Sequence, residues 1–160
     1  MAVTTITTTL TVNAAFLKEI KDVNQELWEQ LQALRDHVKR RITTSHQARQ
    51  CVDLIARLRD NVAMHFALEE ACGYFEDPVY VAPWLNDRAQ ELRQQHPELY
   101  QRVCHLFELA ERLMYRGRFG GMTNALLVDL EQFYADISAH ESAEIDLVFQ
   151  AYDEDIGVGD

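Results

Sequence analysis

Glycine and proline are scarce in this chain, with six Gly and three Pro among 160 residues. Collagen-like and low-complexity chains are rich in both, so those classes are excluded. Long apolar runs are missing as well: no stretch reaches the roughly 18 apolar residues of a membrane span, so no membrane partner is expected. The N-terminus has no basic segment leading into an apolar one, so no export signal is legible. Cysteine is limited to Cys51, Cys72 and Cys104, an odd number without a CxxC pair. They read as reduced thiols in or near the core of a cytoplasmic protein. Basic side chains are outnumbered 15 to 26, giving a formal charge of −11. A general nucleic-acid binder needs clustered Lys and Arg to displace counterions, and Lys39-Arg40-Arg41 is only a short solvated helix face. No DNA or RNA partner is expected.

What the chain does have is apolar content, 48% of its residues. At this length that suits one domain around one core. Residues 2–12 are Thr-rich and β-branched and resist helix formation, which predicts an extended N-terminal arm over 1–13. Asn13 is the expected N-cap of a first helix from Ala14 to about Ile42. Thr44 and Gln47 have capping-box spacing for a second, from about His46 to Cys72. The stretch from Gly73 to Pro83 is too irregular for a helix. A third helix is expected over Trp84 to Tyr115, kinked at Pro97. Gly117, Gly120 and Gly121 form the next break, before a fourth helix over Thr123 to Tyr152 and a fraying tail, 153–160. Each helix carries apolar residues at spacings of three and four, among them Leu27, Leu31 and Leu34 in the first and Leu126, Leu130 and Phe133 in the fourth. The fold class is therefore all-α, an antiparallel up-down-up-down four-helix bundle spanning 14–152.

The informative residues interrupt those stripes. His65 and Glu69 sit four apart on one helix face, and His140 and Glu144 repeat the arrangement. With His96, between Leu92 and Leu99, all lie within about 40° of the centre of their stripes. Burying them unpartnered would cost about 1–3 kcal/mol per polar group, and more for a charge. A metal relieves that cost, because imidazole and carboxylate suit iron, manganese or zinc. Register supports the grouping. In an antiparallel hairpin, residues at one height are equidistant from the turn. The midpoint of positions 65 and 96 falls at 80–81, in the predicted loop, and that of 96 and 140 falls at 118, in the Gly-rich break. The same test selects Asn24 on the first helix, whose midpoint with position 65 falls at 44–45. It rejects His37, whose midpoint falls at 51 inside the second helix, and leaves it on the surface. His46 and His105 lie off the stripes or at loop ends. Satisfied core histidines, paired with glutamates, are the alternative reading.

His65-Phe-Ala-Leu-Glu69-Glu70, the lone His96 in Leu-Arg-Gln-Gln-His-Pro-Glu-Leu, and His140-Glu-Ser-Ala-Glu144 resemble, in order and spacing, the hemerythrin family in its broad HHE cation-binding sense. The resemblance covers roughly residues 14–152. It implies two irons bridged by Glu69 and Glu144, with His96 and His140 serving one iron and His65 the other. There are two departures. Asn24, in Lys-Asp-Val-Asn-Gln-Glu-Leu, stands where the family's first-helix His is expected. Tyr100 stands where oxygen-carrying members have a further His. Asn24 is thus a further candidate ligand through its amide oxygen. Tyr100 is a candidate phenolate ligand, a hydrogen-bond donor to a bound oxygen species, or core packing.

The leading functional expectation is a metal-binding protein with a non-haem di-iron centre that binds or senses O2 or a related small species, or handles iron. One metal, or another divalent ion, is the variant of that expectation. A di-iron peroxidase- or oxidase-like enzyme, motivated by Tyr100, is one alternative. A non-catalytic interaction bundle with a degenerate site, docking an unidentified protein through its aromatic loop from Tyr74 to Trp84, is the other.

Overall fold

The computed structural model describes residues 24–71 and 76–157, and among them the chain is all-helical, without strands. The expected arm over 1–13, the helix start at Asn13, and Cys72 lie outside the described residues. Helix α1 is described over 24–39. It is followed by α2 (Ser45–Ala71), the short α3 (Glu76–Val81), a 3-10 turn (Pro83–Leu85), α4 (Asn86–Tyr115) and α5 (Phe119–Gly157).

Local chemistry accounts for most boundaries. At the start of α2 the capping box forms as expected: the Gln47 N–H donates to Thr44 Oγ1 at 3.2 Å, and the Thr44 N–H to Gln47 Oε1 at 3.3 Å. The end of α4 closes with Gly117 at φ 67. There the Gly117 N–H reaches the Met114 carbonyl and the Arg118 N–H the Leu113 carbonyl, both at 3.0 Å. This is the paired closure for which a left-handed glycine is favoured.

Three expectations need correction. The stretch 73–83 contains a fifth helix, α3, so the described residues hold five helices rather than four. Helix α5 begins at Phe119, not Thr123, and takes Gly120 and Gly121 into its first turn. It also runs to Gly157, beyond the expected end at Tyr152. Burial of Met122 and partial burial of Phe119 offset the poor helix propensity of the two glycines. Thr123, inside α5 rather than at its start, accepts a hydrogen bond from the Ile42 N–H at 3.1 Å.

Contacts between helices run in opposite numerical order. Between α5 and the segment formed by α1 and the turn after it, Asn24 meets Glu141, Arg35 meets Glu131, and Ile42 meets Thr123. On α2 and α4, Arg59 lies over the Phe107 ring and Glu69 meets His96. On α4 and α5, Arg102 pairs with Asp136 and His96 meets Glu144. His37, expected on the surface, is half-buried, and its Nε2 lies 2.8 Å from the Gln47 carbonyl, linking α1 to α2. No helix among the described residues is long and apolar enough to cross a membrane.

The interior is layered. A large apolar cluster runs from Ile42, Leu126 and Ala110 up to Val62, Phe66, Leu99 and Ile137. A smaller one joins Ala82, Leu85, Ala89, Leu92, Leu147 and Ala151. Between them every helix that contributes changes character: α4 passes from Leu92 to Leu99 through His96, and α5 from Ile137 to Leu147 through His140, Glu141 and Glu144.

Candidate metal centre

The polar layer contains His65 and Glu69 from α2, His96 from α4, and His140, Glu141 and Glu144 from α5, none more than 7% exposed. The i,i+4 spacing stacks His65 over Glu69 and His140 over Glu144 on inward faces, so two turns of helix deliver four of the six side chains. Phe66 stacks on His96 with ring centroids 4.0 Å apart and closes one wall. The structure thus brings together all five residues singled out in the sequence.

Every imidazole turns its Nε2 toward carboxylates. His65 Nε2 lies 2.8 Å from Glu69 Oε1 and 2.7 Å from Glu141 Oε1. His96 Nε2 lies 3.2 Å from Glu69 Oε2 and 3.3 Å from Glu144 Oε1. His140 Nε2 lies 2.8 Å from Glu144 Oε1. Two rings are held from behind: His96 Nδ1 by Glu70 at 3.0 Å and His140 Nδ1 by Gln95 Oε1 at 2.8 Å. Such outer partners fix the tautomer and aim the other nitrogen inward.

The electrostatics follow from this crowding. Burial alone would lower the His65 pKa, but hydrogen bonds to Glu141 and Glu69 outweigh it and push the imidazole up to about 10. His96 is raised to about 9 in the same way, against its burial, by Glu144, Glu69 and Glu70. Glu69 resists its own burial and falls to about 2, because His65 and His96 both face it. Glu141 moves in the opposite direction. Its burial dominates, His65 is its nearest compensating imidazole, and Glu144 and Glu69 repel its charge.

A cation fits these residues on the geometry of the side chains themselves. Glu69 Oε2, Glu144 Oε2 and His140 Nε2 are buried without a hydrogen-bond partner. His140 Nε2 is close to Glu144, yet misaligned for a hydrogen bond. With its Nδ1–H given to Gln95, that nitrogen directs a lone pair at a carboxylate, an arrangement that a shared cation satisfies. One ligand atom from each of Glu69, His96, His140 and Glu144 can be chosen within 4.8 Å of one another, and likewise from His65, Glu69, Glu141 and Glu144. Glu69 and Glu144 belong to both groups.

The remaining candidates separate. Asn24 reaches the edge of the layer, where its Nδ2 donates to Glu141 Oε2 at 3.3 Å. Tyr100 is 38% exposed, and hydrogen bonding to Cys104 raises its pKa. That exposure and that partner favour neither a ligand role nor a donor role at the centre. His46 and His105 are exposed. Glu141 was not among the sequence candidates. No sequence signal marked it, because α1 and α5 share no connecting turn; the register that sets 24 beside 141 and 42 beside 123 is seen only in the structure.

The helices and the buried His/Glu layer define a metal-binding helical domain. A family model, the hemerythrin HHE cation binding domain, matches residues 15–152, and the chain belongs to that family. No curated protein and no solved structure matches the chain.

Proposed function

We propose that the protein carries a non-haem centre of two metal ions, iron by preference, in an up-down-up-down bundle of its four long helices, and that this centre binds or senses O2 or a related small species, or handles iron. The observation that carries the reading is the pair of ligand groups sharing Glu69 and Glu144, the arrangement needed for two bridged cations. The opposed numbering of contacts between neighbouring helices supports the topology. His96 and His140 would hold one ion and His65 the other, with Glu69 and Glu144 between them. When bound, an iron pair supplies an open coordination position and redox capacity for a small ligand.

The chain's own residues orient and enclose that centre. Gln95 and Glu70 hold two imidazoles from behind, and Phe66 and the apolar layers above and below exclude water. The partner in this reading is a small ligand such as O2 rather than nucleic acid. A cleft between α4 and α5, lined by Gln95, Arg102, Asp136 and His140 among others, offers it a way in. A cytoplasmic location is part of the reading, supported by the free thiols Cys51 and Cys104. The peroxidase- or oxidase-like alternative drew on Tyr100 and loses that ground with the exposed ring.

The test is elemental analysis of the full chain purified from iron-supplemented cells, beside Glu69→Ala. About two irons per chain are expected in the parent protein, with both lost in the variant because the carboxylate is shared. One iron would reduce the reading to a mononuclear site, and none in either protein would leave the interaction bundle.

A further inference from the structure

The two ligand groups are not alike. The first combines two imidazoles, His96 and His140, with the shared carboxylates; the second combines one imidazole, His65, with the same carboxylates and Glu141. Glu141 is 7% exposed and is held at both oxygens. Oε1 lies 2.7 Å from His65 Nε2, and Oε2 accepts a hydrogen bond from Asn24 Nδ2 at 3.3 Å. A third glutamate beside Glu69 and Glu144 concentrates three carboxylates in a layer closed above and below by apolar side chains. Burying such a group is costly unless it is paired or coordinates a cation.

We propose that Glu141 is a terminal carboxylate ligand of a second cation position, set in place by Asn24, so that the centre has an imidazole-rich half between α4 and α5 and a carboxylate-rich half beside α1. This rests on the dinuclear reading above. Asn24 acts on Glu141 through its Nδ2–H as a positioning residue: the amide fixes the Glu141 carboxylate so that Oε1 faces the position it shares with His65. The ligand chemistry makes the two halves unequal. Carboxylate oxygens suit hard cations such as Mn2+, whereas imidazole suits Fe2+ and Zn2+, so the second half leans further toward the hard ions than the first.

The experiment titrates the metal-free full chain with Mn2+, following loss of the free-ion electron paramagnetic resonance signal, with circular dichroism as the check on folding. Two Mn2+ of unequal affinity are expected in the parent protein. Glu141→Gln, which keeps the side chain's size, is expected to retain one ion at parental affinity and to weaken the other by at least about tenfold. Asn24→Ala is expected to weaken that same ion by a smaller factor, and His140→Ala to affect the other one. If Glu141 serves only as a charge partner for His65, Glu141→Gln changes stability while both ions bind as in the parent, and the proposal is overturned. Equal weakening of both ions would overturn it too, since Glu141 would then support the whole layer. Failure of the parent protein to take up any Mn2+ or Fe2+ would instead sink the dinuclear reading itself.

Discussion

The large apolar cluster is built from all four long helices and the polar layer next to it from three of them, α1 reaching only its edge through Asn24, and the two hold the protein together by different physics. In the apolar cluster, side chains such as Phe133, Leu58 and Leu130 are at most 1% exposed and satisfied by contact alone. Their contribution scales with buried area, about 1.5–3 kcal/mol for each large side chain, and requires neither a protonation state nor a bound cation. One turn further along, six ionisable groups are buried as well, none more than 7% exposed. Their stability depends on what neutralises them, so the polar layer is the place where solution conditions reach the fold.

The sharpest way to test that contrast is to damage the apolar side first. Phe133→Ala removes the largest fully buried side chain. It is expected to cost about 3–5 kcal/mol in urea denaturation, by the same amount with and without metal. A loss that disappears on adding metal would show the two layers to be coupled, contrary to this account.

The polar layer should respond in the opposite manner. A cation at one hundred times its dissociation constant is expected to add about 2.7 kcal/mol to the parent protein, and nothing to Glu69→Ala. The pH dependence of the metal-free protein has a definite sign. His65 is raised from 6.5 to about 10, so the stability it contributes is complete below 6.5 and is lost as pH rises through about 10. His96, raised to about 9, acts the same way over a narrower window. Glu69 is lowered from 4.5 to about 2, so its contribution is present above 4.5 and lost as pH falls through about 2. Denaturation midpoints of the metal-free protein should therefore fall between pH 6.5 and about 10. Metal should flatten that alkaline limb, since the cation takes the lone pairs that protons otherwise occupy.

The same contrast explains what could be read from the sequence. Periodicity made the long helices legible because their stripes extend over many turns. Polar interruptions of those stripes, checked by register, located His65, Glu69, His96, His140 and Glu144. The short α3 was not legible, because six residues, Glu-Asp-Pro-Val-Tyr-Val, are too few to display a helical period. The start of α5 was misplaced because Gly120 and Gly121 have poor helix propensity, and burial of Met122 overrides it. At the site, one residue of rotation separated success from error. Glu141 lies about 100° around α5 from His140 and faces α1, which a search centred on the stripe passes over. Tyr100 lies one turn beyond His96, but the 40° drift of that turn carries it to the exposed edge of α4.

The finest probe of the comparison is Gln95, at the border between the layer and solvent. Its side-chain oxygen accepts the His140 Nδ1–H at 2.8 Å. Replacing it with Ala removes little apolar area, so the metal-free protein should unfold at nearly the parental urea concentration. Metal affinity should nevertheless fall by about tenfold, equivalent to about 1.4 kcal/mol, because the imidazole loses the partner that fixes its tautomer and aims Nε2 inward. Gln95→Glu should restore affinity, since a carboxylate accepts the same proton. An unchanged affinity in Gln95→Ala would mean that packing against Phe66 and Glu144 alone orients His140, and that the polar layer is as self-sufficient as the apolar one.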